Sequence, residues 1–200
     1  MLRQIVHNIL TNPRVFDLQE KLCNDYTNVR RAFDSYLTCE GKDIIEIGCS
    51  TGQCASQVVD MEKNKYVGID IDEKYIEWAK KKHPHGTFVS HDARTLLYAN
   101  DSFDIAMFNG VLHHMDDGLA RDCLREVSRV LRPTGYLLVS EPTIREDWPI
   151  SAWFLRNDRG KFIRAREQYR ALLSGFNVAE EKIFTLSLHQ FCGFAAQRAA

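Results

Sequence analysis

Two textures of apolar spacing succeed one another along the chain. Up to about residue 40 the apolar positions recur at intervals of three and four, first as Leu2, Ile5, Val6, Ile9 and Leu10, which run to Pro13. A second set follows as Val15, Leu18, Leu22, Tyr26, Val29, Phe33 and Tyr36. This spacing predicts amphipathic helices, and no strand pattern occurs there. From residue 43 short apolar runs alternate with helical stripes. Ile44-Ile45-Glu46-Ile47, Lys65 to Asp70, Thr87-Phe88-Val89, Phe103 to Phe108 and Tyr136 to Ser140 read as five strands. The intervening helices are marked by Ala55, Val58 and Val59, by Glu73 to Lys82 with Asp72 as its N-cap, and by the stripe Ala120, Cys123, Leu124, Val127, Val130 and Leu131. Arg132-Pro133-Thr134-Gly135 is expected to stop that last helix. Two further strand-like runs, Lys182 to Leu188 and Gly193 to Gln197, close the chain. Strands alternating with helices predict βαβ units and a mostly parallel sheet covered on both faces.

The chain has 200 residues, enough for one domain with a sizeable core. It is 44% hydrophobic and 26% charged, which places it among globular proteins and away from disordered ones. The formal net charge of −1 points away from a polyanion as main partner, so nucleic acid is not an expected ligand. Its six cysteines form no CxxC pair, which excludes the usual zinc spacings, and no metal site is expected. Free thiols, an N-terminus without the apolar core of a signal peptide, and no run near the ~18 apolar residues of a membrane span lead us to expect a cytoplasmic protein.

The first strand ends in Glu46-Ile47-Gly48-Cys49-Ser50-Thr51-Gly52. A glycine there lets the backbone turn sharply and lets a ligand approach the main chain. In open α/β sheets ligands bind at this end of the strands. The spelling Gly-x-Ser-x-Gly matches a hydrolase nucleophile elbow with Ser50 as nucleophile, but only helical sequence precedes this first strand, where an elbow would follow several strands. A dinucleotide fingerprint fails because Gln53 stands at its third glycine. Asp70, about twenty residues on at the end of the second strand, nevertheless suits ribose hydroxyls. A nucleoside ligand is the reading common to these observations.

The order of further short motifs extends that reading. Gly68-Ile69-Asp70-Ile71-Asp72, Asp92-Ala93, Ser102-Phe103-Asp104, Asn109-Gly110-Val111-Leu112-His113-His114, Leu131-Arg132-Pro133-Thr134-Gly135 and Leu172-Leu173-Ser174-Gly175-Phe176 follow the glycine loop in sequence. Taken together, Asp43 to Arg198 resembles the class I S-adenosylmethionine-dependent methyltransferases, particularly the group acting on small molecules. The resemblance implies a Rossmann-like seven-stranded α/β sheet with helices on both faces, five strands parallel and a C-terminal hairpin placing one antiparallel strand inside the sheet. It implies S-adenosyl-L-methionine as cofactor and methyl transfer to an O, N, S or C nucleophile of a small metabolite. It further implies that Glu46 holds the methionine ammonium and that Gly48, Cys49 and Gly52 lay their backbone against the cofactor. Asp70 would accept from the ribose, Ile71 pack on adenine, and Asp92 and the Ala93 N–H meet its polar edge, with Asn109 also at the cofactor. Ser50 replaces a glycine common in the family.

His113 and His114 are the acid–base candidates, since histidine titrates near neutrality; a packing role is the alternative. After the fourth strand, Asn109-Gly110-Val111-Leu112 lacks the Asn/Asp-Pro-Pro-aromatic run of enzymes that methylate exocyclic base nitrogens. We expect one domain over residues 1–200, with an N-terminal helical cap (1–40), a cofactor-binding core (43–141), a substrate lobe (142–170) and a closing helix end and hairpin (171–200). The lobe carries Trp148, Trp153, Phe154, Phe162 and Tyr169 among the basic residues Arg156, Arg159, Lys161, Arg164, Arg166 and Arg170. It reads either as a pocket for an anionic acceptor or as a helix with a solvated basic face. A non-catalytic cofactor-binding scaffold is the main alternative to an enzyme. The sequence specifies no oligomeric state.

Overall fold

The computed structural model describes residues 12–157 and 160–199. Seven strands form one sheet: β1 (Asp43–Ile47), β2 (Lys65–Asp70), β3 (Thr87–Ser90), β4 (Phe103–Asn109), β5 (Leu131–Thr143), β6 (Phe176–Leu186) and β7 (His189–Arg198). Their order across the sheet is β3-β2-β1-β4-β5-β7-β6. The first five run parallel, and β7 lies antiparallel between β5 and β6. This is the expected Rossmann-like architecture, with the antiparallel strand inside the sheet. Chain order reverses at β1, whose neighbours are β2 and β4, so a crevice opens beyond the carboxyl ends of these strands.

Helices cover both faces because both faces of the parallel strands are apolar. One face packs Ile45, Ile47, Phe108, Leu137 and Val139 against α6 (Asp117–Val130) and α8 (Arg166–Leu172), through Leu124, Val127 and Leu172. The other packs Ile44, Tyr66, Ile105, Met107 and Leu138 against α2 (Thr27–Ala32), α3 (Asp34–Leu37), α4 (Ala55–Val58) and α5 (Glu73–Lys82), through Val29, Leu37, Val58 and Ile76. The bounds of α5 match the sequence expectation, and Asp72 caps it by accepting from Lys74 N. α7 (Pro149–Arg156) follows β5 at the carboxyl edge.

Three expectations need correction. The second apolar stripe is not one helix: α1 (Pro13–Cys23) ends where Asn24 turns extended, Asp25 Oδ1 accepts from Thr27 N, and α2 starts in a new direction. Val15, Leu18 and Leu22 are therefore exposed, while Tyr26, Val29 and Phe33 are buried. Polar contacts anchor α1 instead, with Lys82 Nζ 2.6 Å from Asp17 Oδ2 and 2.9 Å from Gln53 Oε1. The Arg132–Gly135 stop is the opening of β5, whose pairing with β4 is irregular between Phe103 and Ile105. The hairpin strands are also longer than read. β6 is an edge strand whose Glu180, Glu181 and Lys182 mask the alternation that marks a strand. The Leu2–Leu10 helix lies outside the described residues, as does Arg159. Among the described residues no helix is long and apolar enough to cross a membrane.

Replacing Leu124→Ala, which is 3% exposed, is expected to cost about 2–5 kcal/mol. Leu18→Ala, 55% exposed, is expected to stay within about 0.5 kcal/mol. Urea midpoints with unchanged m-values check both.

Candidate functional site at the carboxyl ends of β1, β2, β4 and β5

Beyond β1 the chain doubles back on itself. Gly48 N and Cys49 N both donate to Ile69 O, at 2.7 and 3.0 Å, and Gly52 N donates to Cys49 O at 2.9 Å. Gly48 has φ +71°, and a Cβ there would stand 2.2 Å from Val111 Cγ2, so both conformation and space require glycine. Ser50 also occupies the left-handed region, at φ +50°. Its Oγ and Thr51 Oγ1 are buried without a hydrogen-bond partner. No histidine therefore activates Ser50, and the hydrolase arrangement is absent.

Two acids rise behind this loop. Glu46 is fully buried, and its only hydrogen-bond partner among the described residues is Tyr66 Oη, which donates to Oε2 at 2.5 Å. Burial pushes the Glu46 carboxyl up to about 7; the Tyr66 bond opposes this and the nearby Asp70 charge adds to it. Asp70 accepts from Ser50 N at 2.8 Å through Oδ2 and from Asp72 N at 2.9 Å through Oδ1. Burial raises its pKa, while the amide donors of Asp72 and Ser50 pull it down. A carboxylate oxygen can take more than one donor, so Asp70 keeps acceptor capacity.

At the third strand end Asp92 is gripped by its neighbour: Arg94 Nε lies 3.0 Å from Oδ2, and Arg94 N lies 2.9 Å from Oδ1. These bonds hold the Asp92 carboxyl below the usual carboxylate range. Ile71 stands 77% exposed beside them, an apolar side chain with nothing over it. Ala93 is half-buried against the first core face.

The turn after β4 is organised by a residue that sequence reading passed over. Glu141, fully buried near the end of β5, accepts from Val111 N at 2.9 Å, Leu112 N at 2.7 Å, His113 N at 3.3 Å and His113 Nδ1 at 2.8 Å. His113 is consequently buried, whereas His114 is exposed, their rings 4.1 Å apart. The lobe docks on the same turn. Phe162 N donates to His113 O at 2.9 Å, and a Cβ at Gly160 would stand 2.0 Å from His113 Cδ2. Arg164, 8% exposed, reaches Leu112 O, Met115 O and Asp117 Oδ1 at 2.7–3.0 Å. It is thus a buried brace and not part of a solvated basic face. Other basic residues of the lobe are paired, Arg156 with Glu146 and Arg166 and Arg170 with Glu181. Tyr169 belongs to the core, while Trp153 and Phe154 face solvent. Asn109 Oδ1 and Ser140 Oγ, paired in register across β4 and β5, are buried without partners.

Residues 44–135 match the family model for a methyltransferase domain. A phthiotriol/phenolphthiotriol dimycocerosates methyltransferase of Mycobacterium ulcerans is 30% identical over 135 residues, covering 64% of this chain and 47% of that protein. An O-methyltransferase of Aspergillus nomiae is 33% identical over 107 residues, covering 50% of this chain and 47% of that protein. The chain therefore spans about half the length of these curated relatives. In fold, a methyltransferase of Methanosarcina mazei superposes with a TM-score of 0.70 at 19% identity, covering 84% of this chain and 98% of that one. The chain belongs to the class I S-adenosylmethionine-dependent methyltransferases.

The residues at the strand ends of this methyltransferase suit the family's cofactor. Four buried polar atoms without partners, on Ser50, Thr51, Asn109 and Ser140, cluster where the cofactor of the family belongs, and Gly48 permits close approach. A surface groove of about 530 Å³, lined by Glu40, Asp60, Lys63 and Pro84 among others, opens at the amino ends of β1–β3 and contains none of the residues identified from the sequence except as neighbours in the chain. Glu141 and the bracing role of Arg164 escaped sequence reading. The signal for the first was an acid directly after the apolar run Leu137 to Ser140; nothing marked the second among its basic neighbours.

Glu46 makes the stability of the ligand-free methyltransferase pH-dependent. Its folded pKa of about 7 lies above the ordinary 4.5, so the folded state holds a proton that the unfolded state has lost. That stabilisation is complete below pH 4.5 and disappears as pH rises through about 7. Thermal unfolding across this window is expected to show melting temperature falling with pH, and Glu46→Gln is expected to flatten the slope.

Proposed function

We propose that this chain transfers the methyl group of S-adenosylmethionine to an O, N, S or C nucleophile of a small metabolite. The observation that carries the reading is Asp70: a carboxylate fixed by two backbone amides at the second strand end, with acceptor capacity left for a ribose. In this reading Glu46 meets the ammonium, and Gly48, Cys49 and Gly52 present the main chain. Ile71 covers the adenine, Asp92 and the Ala93 amide meet its edge, and Asn109 closes the cofactor side. The cofactor supplies a methyl on a sulfonium whose leaving group departs neutral. The protein's contribution is consequently to hold acceptor and methyl in line and to exclude water. His114, exposed on the turn, is the side chain placed to take a proton from an acceptor, and buried His113 orients the turn through Glu141.

A net charge of −1 and the paired state of the lobe arginines support a small molecule rather than nucleic acid as acceptor. The name of the Aspergillus relative supports an oxygen nucleophile. We read residues 1–200 as one domain of a cytoplasmic enzyme, with 1–40 as cap and 142–170 as acceptor lobe.

Calorimetric titration with S-adenosylmethionine, S-adenosylhomocysteine and NAD tests the proposal. Asp70→Ala is expected to weaken both sulfur nucleosides by about 2–3 kcal/mol, roughly 30- to 150-fold. Wild-type protein that binds NAD and neither sulfur nucleoside would contradict it. Binding without turnover against any metabolite pool would favour the scaffold reading.

A further inference from the structure

Glu46 presents a physical problem that the fold answers with one side chain. It projects from β1 on the face shared with Ile44, and the parallel register sets it opposite Gly68 of β2, with Tyr66 two residues earlier on the same face. The groups around it are acidic or neutral: Tyr66 and Asp70 from β2, and Cys49 and Cys54 from the loop. No cation enters its electrostatic surroundings. A buried carboxylate without a positive partner is strongly disfavoured, so in the ligand-free site the carboxyl keeps its proton near neutral pH. Tyr66 is itself fully buried, and burial together with the Glu46 charge pushes its pKa well up, so its hydroxyl stays a donor. That hydroxyl is committed to Oε2. The proton therefore sits on Oε1, and Oε1 is the oxygen left for a ligand.

We propose that Tyr66 is the positioning residue for the amino-acid end of the cofactor, holding Glu46 Oε2 so that Oε1 meets the ammonium and gives up its proton as the ammonium arrives. This rests on the cofactor assignment given above. The step balances: a neutral carboxyl and an ammonium become a carboxylate–ammonium pair plus one proton released to solvent. Tyr66 contributes by fixing the carboxyl's rotation and by adding a charge-assisted bond that strengthens as Glu46 ionises. Affinity for ligands with the amino-acid end then rises with pH up to about 7 and levels off above it. Ligands lacking that end do not share the dependence.

Two nucleosides separate the effects. S-adenosylhomocysteine carries the ammonium; 5′-methylthioadenosine keeps the nucleoside and the sulfur and lacks the amino-acid end. Tyr66→Phe is expected to weaken S-adenosylhomocysteine roughly 10- to 100-fold and to leave 5′-methylthioadenosine unchanged. In a Glu46→Gln background the same substitution is expected to have little further effect. Just below pH 7 the wild-type binding heat for S-adenosylhomocysteine is expected to differ between phosphate and Tris by one released proton's worth of buffer ionisation. Glu46→Gln is expected to abolish that difference. Equal loss of both nucleosides in Tyr66→Phe, no loss of either, or a full effect of Tyr66→Phe persisting in Glu46→Gln would overturn the positioning role. Absence of proton release in the wild-type chain would overturn the coupling even if Tyr66→Phe fails to fold. Wild-type protein binding neither nucleoside would instead remove the cofactor assignment itself.

Discussion

The Glu141 carboxylate is the contact on which the working end of this molecule depends. A buried carboxylate must be matched by donors, and Glu141 finds four of them in three consecutive residues of one turn. That match fixes Val111 against Gly48, which belongs to the cofactor loop, and fixes His113 against Gly160, which belongs to the lobe. Arg164 then ties the lobe to the carbonyls of the same turn, using the acceptors that Glu141 leaves over. Cofactor loop, post-β4 turn and lobe are thus one connected unit, held from the end of β5.

Acids dominate the strand ends, and their states differ for identifiable reasons. Glu141 is matched by backbone and imidazole donors, Asp92 by the Arg94 guanidinium, and Asp70 by two amides. Only Glu46 faces the crevice with a single neutral partner. A ligand bringing positive charge to β1 and hydroxyl donors to β2 would complete this set, and S-adenosylmethionine brings both. The fold alone would not assign that ligand, because sheets of this shape host many chemistries. The distribution of unmet acceptors along the strand ends makes the assignment specific.

Much of this was legible in the sequence because local rules and tertiary structure agree in the parallel core. β2 and α5 fall where apolar runs and the Asp72 cap place them, and the acids at the ends of β1 and β2 follow from the strands. Legibility failed where long-range contacts override local pattern. The exposed Val15–Leu18–Leu22 stripe reads as a core face, yet a polar tether through Lys82 decides how α1 sits. Arg164 looks like one of many lobe cations, and only the position of the Leu112–Met115 carbonyls 50 residues away in the chain makes it a buried brace. The Pro133-Gly135 pair marks a helix end correctly but conceals a strand that β4 imposes by pairing.

The central claim is that the carboxyl ends of β1 to β4 form one nucleoside-sulfonium site. Amide chemical shifts followed during titration with S-adenosylhomocysteine test it residue by residue. The account predicts saturable shifts grouped at Gly48–Gly52, Asp70–Asp72, Asp92–Arg94 and Asn109–Val111, with Glu40, Asp60 and Lys63 at the opposite end of the sheet unmoved. Shifts confined to that opposite groove, or no shifts at saturating ligand, would contradict it.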